Sequence, residues 1–306
     1  MKKKIYRNSK LIKRIALVLG AIAVLFIGYQ AYIYFRGNFF TPSGETVYIY
    51  IHEHATLDDV VKQIEKKTKP RDINSFIRLA KTEGYPTKIR TGRYAITNGM
   101  TNHKLLSNLK KHIQEPVKLK FNNIRTKAQL AGRLSKQLMA DSLTLLSVLN
   151  DSLADEKMGF TPETVVAMFI PNTYDMLWDI TPAQFIKRMH HEYEEFWTDE
   201  RKQKAKKANL TPVQVTTLAS IIEEETNHKA DKPIVAGLYM NRLRIGMPLQ
   251  SCPTIKFALN DFSLKRITGV HLRVQSPYNT YKNPGLPPGP IRIPSIESID
   301  AVLDFK

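Results

Sequence analysis

Between residues 212 and 246 the apolar positions recur at helical spacing, stop at a polar break, and start again. Val215, Leu218, Ala219 and Ile222 keep the 3, 4 and 7 spacing of one buried stripe, and Pro212 suits the first turn of such a helix. At about 100° per residue, Glu224 points away from that stripe, while Glu223 and Glu225 lie on its two flanks. After the break, Asp231 is placed to cap a second helix with Pro233 in its first turn. Val235, Leu238, Tyr239 and Leu243 supply its apolar face, and Gly246 ends it. The pattern predicts a helical hairpin jointed at Asn227 and His228.

Upstream, Val47, Ile49 and Ile51 alternate with Tyr48 and Tyr50 as a strand does, following a linker at 36–44. Thr56 caps a helix over Leu57 to Lys66, and a second helix runs from Ile73 to Glu83. A strand follows Gly92 through Tyr94 and Ile96, and Thr101 opens a helix through Leu105, Leu106 and Leu109. The order β-α-α-β-α predicts a small α+β unit over 45–115, too modest for a catalytic cleft. Glu115 and Pro116 mark a boundary, and a larger, mostly helical α+β domain over 116–306 begins with an entry strand at Val117 to Phe121. Helices are expected at Lys127 to Met139, Ser142 to Asn150, Thr161 to Met168 and from Thr181 onward. Lys306 falls inside a helix begun at Ser295, so a chain truncated at its C-terminus is expected.

Two features of the first forty residues change this picture. A basic tail at 1–14 precedes Ile15 to Phe35, an uncharged run of 21 residues that as a helix spans the roughly 30 Å core of a bilayer. The positive residues lie before it, which predicts a single transmembrane helix at 15–35 with the N-terminus cytoplasmic and the rest outside. Seven of the cations precede residue 15, which leaves +11 of the net +18 elsewhere. Such a surface attracts anionic polymers or lipid. Without a zinc-finger spacing, a ribonucleoprotein motif or a phosphate-cradling loop, nucleic acid is not expected as a partner. The basic segment Thr198 to Asn209 reads as a solvated helix end. The single cysteine, Cys252, excludes an intrachain disulfide.

The candidate chemistry lies in the hairpin. A glutamate at the edge of an apolar face has its pKa raised by desolvation, as a proton donor requires, and this applies to Glu223 and Glu225. Residues two apart do not face each other, so the two are not expected to grip one bond as an acid and nucleophile pair. Ordinary solvation of the helix by all three glutamates is the open alternative. Beyond the hairpin, two loops carry amides, hydroxyls and aromatic rings of the kind that bind sugars, with Gln250, Asn279 and Tyr281 as candidates. GLPPGPIRIP at 285–294 predicts a stiff wall. His228, His190 and His191 lack metal-ligand spacing, so neither metal nor cofactor is expected.

The strings ASIIEEET, VAGLYMNRLRIGMPLQ, Pro253-Thr254, SPYNTY and GLPPGPI together resemble the endolytic murein transglycosylases, the YceG-like family. The resemblance implies a LysM-like module in front, with Gly92 to Tyr94 and the Gly99 to Thr101 turn matching it. It further implies a catalytic domain that cleaves the MurNAc–GlcNAc β-1,4 bond of peptidoglycan strands to leave 1,6-anhydroMurNAc ends. Glu223 falls on the family's catalytic acid, and Glu225 is assigned supporting electrostatics. Asn241, Arg242, Gln250, Thr254, Ser276, Tyr278, Asn279 and Tyr281 are the substrate-binding candidates. Many relatives carry an acidic residue where Cys252 stands. Implied partners are glycan strands, the plasma (inner) membrane and cell-wall synthases, with the catalytic domain extracytoplasmic. A hydrolytic muramidase and a non-catalytic peptidoglycan-binding scaffold remain the rival readings.

Overall fold

A computed structural model describes residues 2–151 and 156–305 of the chain. The chain divides into two compact units, Met1–Pro116 and Val117–Lys306. Both are α+β.

The first unit opens on helix α1 (Lys2–Phe35). This corrects the expectation of a single transmembrane helix: among the described residues no helix is long and apolar enough to cross a membrane. The side chains of residues 1–13, Gln30, Ile33 and Tyr34, and the terminal Lys306, lie outside the described residues.

Strand β1 (Gly37–Phe40) follows directly, where a linker was expected. It pairs with β3 (Lys69–Pro70) and β5 (Met100–Thr101), and Phe39 is fully buried with its ring edge-on to Phe76. The segment is too short to show strand alternation; its pairing with two distant segments makes it a strand. β2 (Val47–Ile51) pairs antiparallel with β4 (Gly92–Ile96), as their alternation predicts. Helices α2 (Leu57–Lys67), α3 (Ile73–Thr82) and α4 (Asn102–Lys110) are capped by Thr56, Asp72 and Thr101, each accepting a backbone N–H of the first turn. Their apolar faces close a core around Ile49, Ile64, Tyr94 and Leu105.

In the second unit, β6 (Val117–Lys120) pairs antiparallel with β7 (Thr173–Met176). Helix α5 (Lys127–Leu134) ends short of the expected Met139 because Gln137 turns back, its amide bonding the backbone of Lys120 on β6. α6 (Ser142–Leu149) follows. The helix expected over Thr161 to Met168 is reduced to a 3₁₀ turn at Val165–Met168. α7 (Pro182–Phe196) and α8 (Asp199–Lys207) lead into α9 (Pro212–Glu225), capped by a reciprocal Thr211–Gln214 box.

α9 is buried on every side over Val215 to Ile222, which corrects the single apolar stripe. Thr216, Thr217 and Ser220 satisfy their hydroxyls against backbone carbonyls, so polar residues sit in the interior without leaving orphaned groups. Around α9 stand α10 (Lys232–Arg244), α11 (Cys252–Ala258) and α12 (Ile296–Leu303). The wall at 285–294 is pinned in place at two points: the Ile291 N–H donates to Ser220 Oγ of α9, and the Ile293 N–H to Ile124 O. Gly289 allows this approach, since a Cβ there would run into the Glu163 carbonyl.

Candidate active site at the end of the central helix

The last turn of α9 sends its three glutamates to three different surroundings. Glu223 reaches toward α10 and α12. Its Oε2 accepts from Lys232 Nζ at 2.7 Å, from Ser295 Oγ and Ser298 Oγ at 2.5 Å each, and from the Ser295 N–H at 3.3 Å. Oε1 takes no hydrogen bond among the described residues. One oxygen is thus anchored and the other is left for a further partner. Lys232 is itself buried, a cation held inside by this carboxylate and by Ser295 Oγ at 3.0 Å.

Burial works to raise the Glu223 pKa, but the hydrogen bonds from Lys232, Ser295 and Ser298 and the Lys232 charge outweigh it and hold the carboxyl at about 2. The expectation of a net rise by desolvation is therefore corrected. What the pattern of the helix could not show is a cation nine residues on, buried at the start of the next helix.

Glu224 was expected to face away from the core. It is instead locked between two guanidinium groups, with Arg125 donating to both oxygens at 2.8 and 3.0 Å and Arg292 to Oε1 at 2.7 Å. The reason is the wall: it covers the face of α9 that carries Thr217, Ser220 and Glu224, and Arg292 projects from it. Arg292 also donates to Asn123 Oδ1 at 3.0 Å, closing a ring of contacts with the turn before α5.

Glu225 is exposed and belongs to a polar corner. Tyr239 OH donates to its Oε1 at 2.8 Å and Ser251 Oγ at 2.6 Å. Burial, then the Glu225 charge, pushes the Tyr239 hydroxyl well above its usual range, so it stays a donor at neutral pH. Tyr281 stands close by, its OH 3.2 Å from Cys252 Sγ, and burial together with Cys252 and the Glu225 charge raises it to about 12.

The expected substrate-binding residues divide. Gln250 is exposed, in a left-handed conformation at φ 54° fixed by its N–H to Thr280 O. It directly precedes Ser251 of the Glu225 corner, where Tyr281 lies within reach of the Glu225 and Arg242 charges; the Arg242 guanidinium also ties down the Leu249 carbonyl. Thr254 is fully buried and bonds Ser251 O and Thr280 Oγ1 at 2.8 Å each. Asn279 is fully buried too, its amide holding the Leu272 and Val274 carbonyls. These two shape the loops and are corrected as groove candidates. Ser276 Oγ accepts the Tyr278 N–H in a local turn, and the Tyr278 ring packs on Phe257 at 4.7 Å. Asn241 is displaced from all of these, lining a separate cavity of about 320 Å³ with Leu210 and Phe305. One residue from Arg242, it sits about 100° round the helix.

α10 starts without a side-chain cap from Asp231, contrary to expectation, and buries Ala236, Tyr239 and Met240 while Leu238 is half exposed. Its inward face is rotated because Lys232 and Tyr239 must reach Glu223 and Glu225. Lys232, Ser251, Ser295 and Ser298 were not singled out by the sequence. Ser295 and Ser298 had a signal, a serine at the start of a helix with another three residues on; buried Lys232 had none. No group of three or more His, Cys, Asp or Glu residues suited to a metal occurs among the described residues.

A family model described as the YceG-like family matches residues 49–306. A relative from Streptococcus pneumoniae named endolytic murein transglycosylase is 26% identical over 293 residues, covering 86% of this chain and 53% of the relative. A Bacillus subtilis relative of the same name is 42% identical over 102 residues, covering 33% of this chain and 28% of the relative. The chain spans about half the length of the Streptococcus relatives it matches. A crystal structure of a YceG-like protein from Listeria monocytogenes aligns with a TM-score of 0.58 at 26% identity, covering 86% of this chain and 91% of that one.

Proposed function

This chain belongs to the YceG-like family, and on that premise we propose that its second unit is an endolytic murein transglycosylase cleaving the MurNAc–GlcNAc β-1,4 bond within peptidoglycan strands. The names of its relatives support the reaction class. The observation that carries the role of Glu223 is its carboxylate, fixed through Oε2 and unpartnered at Oε1 among the described residues.

Glu223 protonates the bridging oxygen as the glycosidic bond breaks. The resulting carboxylate then takes the proton of the C6 hydroxyl as that oxygen attacks C1, closing the 1,6-anhydro ring. One carboxylate serves both steps because the nucleophile belongs to the substrate and is already near the reacting carbon. In the free protein Glu223 is held as an anion by Lys232. Substrate covering Oε1 removes water and adds to the desolvation that already works to raise its pKa, which brings the acid form within reach. Glu225, with Tyr239 and Ser251, offers hydrogen-bonding groups to the sugar and a negative charge toward the developing oxocarbenium centre.

A second reading, with Glu225 as the acid, is favoured by its exposure beside Gln250 and Tyr281. A unit that cuts peptidoglycan works on the extracytoplasmic side of the cell, where cell-wall synthases supply new strands. Mass spectrometry of glycan strands digested by the protein tests the reaction: 1,6-anhydro ends are expected. Reducing ends would identify a hydrolytic muramidase, and intact strands a binding scaffold.

A further inference from the structure

Along α5 and the turns that flank it lies an open cleft of about 560 Å³ lined by Asn123, Arg125, Gln129, Arg133 and Lys136 among others. Three of these side chains are cations, and no carboxylate lines it. Gln129, Arg133 and Lys136 follow at spacings of four and three, which puts them on one side of α5 and the turn after it. Arg133 and Lys136 are exposed, and neither has an ion pair among the described residues. The Gln129 carbonyl oxygen is used by the Arg125 N–H at 2.9 Å, which leaves its amide N–H groups to donate.

Two connections tie this cleft to the proposed site. Arg125 forms the bidentate pair with Glu224, next to Glu223, and Asn123 bonds Arg292, which grips the same glutamate. On its other side the Arg125 guanidinium stacks on Phe262 at 5.1 Å. Phe262 meets Phe257, and Phe257 meets Tyr278 of the sugar-type loop. A ligand in the cleft is therefore linked through side-chain contacts both to the glutamate turn and to the loop.

Resting on the transglycosylase reading, we propose that the cleft is a subsite for the carboxylates of the peptide stems borne by peptidoglycan strands. Murein presents these carboxylates at regular intervals along the polymer being cut, and Arg133, Lys136 and the Gln129 amide supply donors without a competing acid. Arg125 is committed to Glu224, so it sets the position of the cleft and the free pair reads the ligand.

The test compares binding of soluble strands that keep their peptide stems with strands stripped by an amidase, for the parent protein and for Arg133→Gln/Lys136→Gln. Two exposed ion pairs of ordinary strength correspond to about a tenfold tighter hold on the peptide-bearing strands. The double variant is expected to lose that preference and to bind stripped strands as the parent does. Equal binding of both strands by the parent, or a preference that survives in the variant, overturns the assignment. Displacement of equally bound strands by poly(glycerol phosphate) would give the cleft to a phosphate polymer and overturn it too. Release of anhydro ends from stripped strands by the parent reads the transglycosylase activity separately, so failure of one reading is distinguishable from failure of the other.

Discussion

The two flanks of the central helix end carry the same side chain in opposite states. On the α12 flank, Glu223 is partly buried, paired to a buried lysine and bonded by two serines. On the α11 flank, Glu225 is exposed and, among the described residues, bonded only by neutral hydroxyls. They stand two positions apart on one helix, with Glu224 between them. What differs is what packs outside: a helix start that delivers serines on one flank, and a loop held by Arg242 and Thr280 on the other. The chemistry of a carboxylate is set by the neighbouring elements, and the helix supplies only its direction.

The difference between the flanks is broken most severely at Lys232. Lys232→Met leaves Glu223 partly buried without its cation, and removing one partner of a buried pair costs roughly 3–5 kcal/mol. Chemical denaturation is expected to show a loss of that order, and carboxyl NMR a Glu223 pKa risen from about 2. An unchanged midpoint would mean that the pair does not hold this flank together.

Acid gives a smaller effect of the same origin. The Glu223 pKa falls on folding, from 4.5 to about 2, so its contribution is present above pH 4.5 and is lost as pH drops through 2. The linked loss, reduced by solvent screening of a group that is only partly buried, is roughly 2–3 kcal/mol. Denaturation midpoints of the parent and of Glu223→Gln, measured between pH 5 and 2, are expected to converge. Parallel curves would place the titrating group elsewhere.

Smaller again is the effect at the position between the flanks. Glu224→Gln weakens two arginine contacts and is expected to cost about 1–3 kcal/mol of stability. Activity per folded molecule should stay near that of the parent, read as turnover corrected for the folded fraction. A loss as large as that at Glu223 would give Glu224 a direct part in the chemistry.

Much of this arrangement was legible in the sequence. Alternation located β2 and β4, threonine before an apolar run located the starts of α2 and α4, and Pro212 marked the first turn of α9. The hairpin and its glutamates were visible for the same reason, a helical period with a polar interruption. The surroundings of each glutamate were not. A hydrophobic period treats a face bearing Thr217, Ser220 and Glu224 as polar and therefore outward. Ser220 is buried because its hydroxyl serves a backbone N–H of the wall, 71 residues away. In the same way Asn279 and Thr254 have the composition of sugar-binding residues, yet their polar atoms are spent on the chain itself. Composition reports which groups can hydrogen-bond, and packing alone decides whether a backbone or a ligand receives them.

The central claim is that the anchored carboxylate carries the reaction and the exposed one assists. The most direct measurement is the rate of 1,6-anhydro end release from purified glycan strands by Glu223→Gln and Glu225→Gln, each checked for folding by thermal melting. Glu223→Gln is expected to lose activity by about 10² to 10⁴, the range typical of a lost general acid, and Glu225→Gln by about tenfold. Near-parent release by Glu223→Gln, with the large loss at Glu225→Gln, would contradict the account and move the acid to the exposed flank.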